Sequence, residues 1–297
     1  FGQKGVISGR RAFSLLRFGA PVTFTRLALS GIMMLQAFLI PIALQRAGWD
    51  TRAATEIYGR FSGVAMSLLH LPGVFTGALA VSVMPAVAET GLHQRELLRH
   101  RAANSLQATT LFTLPSMAVL YLFADELCTW LFHSPLAADI LRVLCFGGCF
   151  LYLQTTLSSI LQGLGEVRAL LINSLIGGCF LLFAILLLAS MPNLGITGAA
   201  VAVDIYFALT FALNLLRLHR ISQLRLPWQN IVLKPAFATI LGILIMQALE
   251  KYGAAFLPHS EKLAAVVLCM VFGLVYFIIL VVCGGLSIGI WRRIKKR

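Results

Sequence analysis

Charge is what this chain has least of. Asp, Glu, Lys and Arg make up 12% of its 297 residues, against about 25% in ordinary soluble domains. Apolar residues make up 59%, and mean hydropathy is +0.88. One soluble core of this size cannot hide so much apolar surface, so the class expected is an all-α integral membrane protein. Chemical signatures are missing too. No G-x-x-x-x-G-K-[ST], H-E-x-x-H or G-x-S-x-G occurs, so no P-loop, zinc-protease or hydrolase site is expected. Carboxylates are few and scattered, which gives no acid–base pair. Six cysteines are present without any C-x-x-C. No His or carboxylate stands beside them at ligand spacing, so they read as small apolar packing residues, without metal or disulfide framework. The expectation is a protein that is not an enzyme and needs no cofactor. The chain begins at Phe1 with no signal-peptide pattern before its first apolar run, so a piece of a longer protein is expected.

What is abundant is long apolar runs. A spanning helix needs about 20 mostly apolar residues. Eight candidates fall near 18–42, 61–87, 103–123, 141–164, 168–189, 196–216, 231–249 and 263–284. In lipid the backbone must satisfy itself, so these are helices. Net charge is +13, but the basic residues sit in short loops between apolar runs, which argues for a topology signal rather than for nucleic acid. With both ends on the cytoplasmic side, segments 1–17, 88–102, 165–168, 217–234 and 285–297 carry 17 Lys and Arg, and the opposite side carries six. That bias sets the expected orientation, multi-pass with both ends cytoplasmic. The loop 88–102 reads as a short amphipathic helix or a plain solvated loop, and the C-terminal IGIWRRIKKR as a basic anchor at anionic headgroups or a solvated tail.

Several spans contain helix-disturbing residues, notably Pro72-Gly73 in the second and Pro115 in the third. Proline removes a backbone hydrogen bond and kinks a helix. Polar residues inside the spans are the candidate site. Arg26 lies nine residues past Arg17, about 13 Å along a helix. A charge that deep costs at least about 2.5–3.5 kcal/mol. It either faces a water-filled cavity, where a guanidinium fork suits phosphate, or snorkels to the headgroups. Asp204 is the other intramembrane charge; it pairs with Arg26, binds a coupling cation or proton, or is a protonated acid buried between helices. His70, just before Pro72, either takes part in proton coupling or bonds a carbonyl near the proline. Gln36 and Asn173, with Gln107, Gln154 and Asn214, are intramembrane amides. Helix–helix hydrogen bonding explains most of them, and Gln36 and Asn173 are kept with the cavity candidates.

Four stretches in order, FGAPVTFTRLALSGIMMLQAFLIPIALQRAG, YGRFSGVAMSLLHLPGVFTGALAVSVMPAVAE, LQGLGEVRALLINSLIGG and PNLGITGAAVAVDI, carry a resemblance. Together they resemble the C-terminal part of stage V sporulation protein B-like and related polysaccharide biosynthesis proteins. These belong to the MOP exporter superfamily, with the MurJ-type lipid II flippases and the MATE transporters. The resemblance implies a fourteen-helix transporter in which two six-helix lobes flank a cavity and two helices follow. The eight spans here would be the second lobe, residues 1–217, and the two extra helices, residues 218–297, with the N-terminal lobe missing from this chain. The implied activity is flipping undecaprenyl-pyrophosphate-linked saccharides, lipid II-like or polysaccharide repeat units, across the bacterial cytoplasmic membrane. The implied partners are that lipid-linked saccharide, membrane lipids and a coupling ion, proton or sodium. Arg26 is the position that fits the demand for a cation at the pyrophosphate. A MATE-like drug or cation antiporter and a non-transporting scaffold for cell-wall or spore assembly are the competing readings.

Overall fold

The computed structural model describes the backbone of residues 9–224, 226–252 and 261–282, and the side chains of residues 23, 27–224, 226–249 and 267–282. Among these residues the fold is all helix, with no strand. Helix α1 runs Gly9–Arg46. A turn leads into α2, Thr51–Gly59, which passes through a π-helical turn, Arg60–Ala65, into α3, Met66–His70. Then come α4, Gly73–Thr90; α5, Arg95–Leu122; α6, Ala124–Phe132; α7, Ala138–Gly163; α8, Val167–Leu188; α9, Gly195–Ser222; α10, Lys234–Tyr252; and α11, Glu261–Val282.

Among the described residues, six helical stretches are long and apolar enough to cross a membrane, or seven if α5 and α6, bent by 76° at Phe123, form one span. Eight spans were expected. The described apolar part of α11 is only Val267–Val282. The second expected span is broken, because α3 ends at His70 and a turn at Leu71-Pro72 starts α4. Residues 95–102 are not a separate surface helix but the first turns of α5, after a turn at 91–94. Helix α9 runs past the expected lobe boundary at 217, to Ser222.

Helix α7 is the most deeply buried of the candidate spans, and α4, α5 and α9 pack on it. Adjacent glycines let its neighbours come close. A side chain at Gly147 would collide with Asp204 of α9, and one at Gly148 with Met117 of α5 and Leu69 of α3. Helix α8 repeats the device. Gly177 faces Thr210 and Tyr206 of α9, while Gly178 faces Ile32 of α1. Small residues at helix contacts are the usual means of close packing where water no longer drives association. One buried cluster joins α1, α2, α3, α7, α8 and α9 around Phe61, Leu68, Leu141 and Leu144. A second lies toward the α7–α8 turn, around Leu98, Leu157, Ile160 and Leu218.

Breaks in the helices are answered by tyrosines. Pro115 has no N–H for the carbonyl of Leu111 four residues back. Tyr276 Oη of α11 donates to that carbonyl at 2.9 Å. At the α3–α4 break, the Leu69 carbonyl accepts from Tyr152 Oη of α7. Helices α10 and α11 pack together, with Phe272 against Gly242, and close on α5 through Phe272, Met246 and Phe123. Replacing Tyr276 by Phe is expected to lower the stability of the detergent-solubilised chain by about 1 kcal/mol. Phe272→Ala should cost about 3 kcal/mol, since that ring is fully buried. Thermal unfolding measures both; a Tyr276→Phe protein as stable as the parent would mean the bond contributes nothing.

Candidate functional site: a polar cavity inside the helical lobe

A cavity of about 380 Å³ lies between α1, α3, α7, α8 and α9. Helical spacing explains its walls. On α7, Gln154, Ser158 and Gln162 recur every four residues, which puts them on one face. On α1, Leu29, Met33 and Gln36 do the same at spacings of four and three. Helix α3 adds Met66 and His70, α8 adds Leu170 and Ser174, and α9 adds Val203, Tyr206 and Phe207. No Asp, Glu, Lys or Arg is among the described lining residues. Amides, hydroxyls and one imidazole stand on an apolar background, the composition of a site that fixes an uncharged polar group by hydrogen bonds.

Behind this wall the helices are tied by side-chain bonds at successive levels. Thr210 Oγ1 donates to Gln154 Oε1 at 2.7 Å, linking α9 to α7. Asn173 Nδ2 of α8 donates to Asn214 Oδ1 of α9 at 2.8 Å, and Asn214 Nδ2 lies 3.4 Å from Ser158 Oγ of α7. At the α7–α8 turn, Arg217 of α9 closes the series with an ion pair, Nη2 at 2.6 Å and Nε at 3.0 Å from Glu166 Oε2. Glu166 lies next to Val167, which lines that end of the cavity.

The five sequence candidates separate. Gln36 and His70 are on the cavity wall. His70 Nδ1 is 2.6 Å from the Met66 carbonyl, so that nitrogen carries the proton and donates, and Nε2 is left for other work. Asn173 is beside Ser174 of the wall, and its amide is spent on Asn214. Asp204 is not on the wall. It packs against Gly147 of α7, and its Oδ1 is buried without a hydrogen-bond partner among the described residues. Arg26 is on α1, but its side chain lies outside the described residues. Ser158, Gln162, Ser174 and Tyr206 were not singled out from the sequence; the four-residue repeat of Gln154, Ser158 and Gln162 was the signal available.

The two kinds of amide should respond differently to removal. Asn214, buried and bonded on two sides, should cost about 1–3 kcal/mol as Asn214→Leu. Gln36, which makes no bond among the described residues, should cost almost nothing as Gln36→Leu. Unfolding of the two variants in detergent checks this, and a larger loss at Gln36 would reverse the assignment.

Apolar helices long enough to span, packed through close glycine contacts around a cavity, define a multi-pass helical membrane protein. Residues 62–189 match the MatE family. The chain is 30% identical over 252 residues to stage V sporulation protein B of Bacillus subtilis (strain 168), covering 84% of this chain and 48% of that protein. It is 29% identical over 185 residues to sporulation protein YkvU of the same organism, covering 62% of this chain and 42% of that one. Its fold matches a structure titled lipid II flippase MurJ, inward closed conformation, at a TM-score of 0.67 and 15% identity, over 95% of this chain and 56% of that one. These likenesses support a MOP-type exporter fold. It spans about half the length of the curated relatives it matches.

Proposed function

We propose that this chain is the C-terminal half of a flippase for undecaprenyl-pyrophosphate-linked saccharide precursors, working by alternating access at the bacterial cytoplasmic membrane. The observation that carries the proposal is the cavity inside the lobe, uncharged, with amides, hydroxyls and an imidazole set in a mostly apolar wall. A saccharide crossing hydrocarbon needs substitutes for its water, and amides and hydroxyls provide them. The names of the relatives, a sporulation protein and a lipid II flippase, point the same way. In this reading residues 1–217 are the second lobe and residues 218–297 the accessory helix pair. The other lobe lies in the part of the relatives' length that this chain does not match. Both ends are cytoplasmic, in line with the 17-to-6 distribution of Lys and Arg. A proton or sodium ion supplies the coupling. The antiporter reading is less well supported, because a drug or cation site would favour carboxylates and the described wall carries none.

Arg26 is the proposed pyrophosphate contact. Position 26 precedes Leu29 and Met33 by three and seven residues on α1, which is the cavity face of that helix by register. Gln36 and His70 on the wall are the proposed saccharide contacts, with Asn173 and Asp204 as the remaining candidates behind it. The test is leaflet-to-leaflet transfer of a fluorescent polyprenyl-pyrophosphate sugar in vesicles holding the full-length protein. Arg26→Ala should abolish transfer with insertion intact, and Arg26→Lys should restore little, since Lys lacks the bidentate fork. Normal transfer by Arg26→Ala would sink the assignment.

A further inference from the structure

Away from the central cavity, the end of α9 and the linker that follows it enclose a second hollow of about 220 Å³. Leu215, Leu216 and Leu218 of α9 form one side, and Leu224, Leu226 and Trp228 of the linker form the other. The chain makes this hollow by reversing at Gln223, whose φ of 52° puts it in the left-handed region that ends a helix. Its N–H bonds the His219 carbonyl at 2.8 Å. The linker then returns along α9, so that Leu224 is buried while Leu216 and Trp228 remain open at the rim.

Along the stretch of sequence that builds this hollow, charge has one sign. From Ile205 to Leu249 the sequence holds no Asp or Glu, but it holds Arg217, Arg220, Arg225 and Lys234. Arg217 is engaged by Glu166. His219 lines the hollow, and Arg220, one turn beyond Leu216, is exposed and makes no ion pair among the described residues. The apolar run of α9 ends at Leu216 and is followed at once by these basic residues. Trp228 lines the same hollow, and tryptophans are enriched at membrane–water interfaces. A leucine hollow at headgroup depth, with a cationic edge and an indole at its rim, fits one amphiphile: an acyl chain below and a phosphate above.

We propose that this hollow binds one anionic phospholipid, its phosphate at His219 and Arg220 and an acyl chain against the leucines. The lipid sits where the six-helix lobe passes into the α10–α11 pair. The site is separate from the central cavity and does not depend on what the protein transports.

Trp228 supplies the probe. In the whole 297-residue chain with Trp49, Trp130 and Trp291 changed to Phe, it is the only fluorophore of its kind. The protein is reconstituted in phosphatidylcholine vesicles, and phosphatidylglycerol or phosphatidylcholine with brominated acyl chains is titrated in. Brominated phosphatidylglycerol should reach half-maximal quenching at about a fivefold lower mole fraction, the contribution of about one basic residue near the surface. His219→Ala with Arg220→Ala should bring the two lipids level, and Arg220→Lys should keep the preference. Equal quenching by the two lipids in the unsubstituted pair would reduce the hollow to ordinary boundary lipid and overturn the proposal. So would a preference that survives the double change, or quenching relieved by soluble glycerol phosphate, which would make this a site for free phosphate.

Discussion

A backbone carbonyl in hydrocarbon must find a donor, and much of this structure follows from meeting that demand where helices break. Pro115 and the Leu71-Pro72 turn disturb two runs that would otherwise cross the membrane as plain helices. The carbonyls of Leu111 and Leu69 are met by Tyr276 and Tyr152, side chains from helices remote in sequence. Each bond therefore does two things. It satisfies a polar group that lipid cannot, and it fixes one helix against another. Tyr276 pins α11 to α5, and Tyr152 pins α7 to the end of α3.

The glycine pairs work with those ties. Gly147 brings α9, and Gly148 brings α3 and α5, close to α7, while Gly177 and Gly178 bring α9 and α1 onto α8. With α1, α3, α7, α8 and α9 held together at these contacts, the space left between them becomes the cavity. Side-chain bonds among Gln154, Thr210, Asn173, Asn214 and Ser158 stiffen its far wall. Gln36 on α1 and Gln162 on α7 make no such bonds among the described residues. A wall with some amides committed and others free is rigid and still able to bind.

The sequence and the structure part in instructive places. Spans 141–164 and 168–189 match α7 and α8 within three residues, because Gly163 and Gly165 punctuate one side and Pro192 the other. The third expected span ends at 123, where Asp125 and Glu126 interrupt the apolar run, but LYLFADELC has no Gly or Pro to announce that the chain turns by 76° there. Segment 88–102 read as a short surface helix or a solvated loop because its charges mask continuity of 95–102 with α5. Asp204 drew attention as a charge in oil, but its surroundings are set by Gly147 on another helix, and helix pairing is hard to read where nearly every face is apolar. Gln36 and Asn173 are the same kind of amide in the sequence. Only packing makes one a wall residue and the other a helix tie.

The central claim is that water reaches a polar cavity inside the lobe while its outer faces meet lipid. The direct measurement is the rate at which a membrane-impermeant charged maleimide modifies single cysteines in the reconstituted protein, with the native cysteines replaced. Gln36→Cys and Ser158→Cys should react readily. Val81→Cys, on a position 76% exposed at the surface of α4, should be protected by lipid. If Gln36→Cys and Ser158→Cys react no faster than Val81→Cys, the cavity is dry and the account fails.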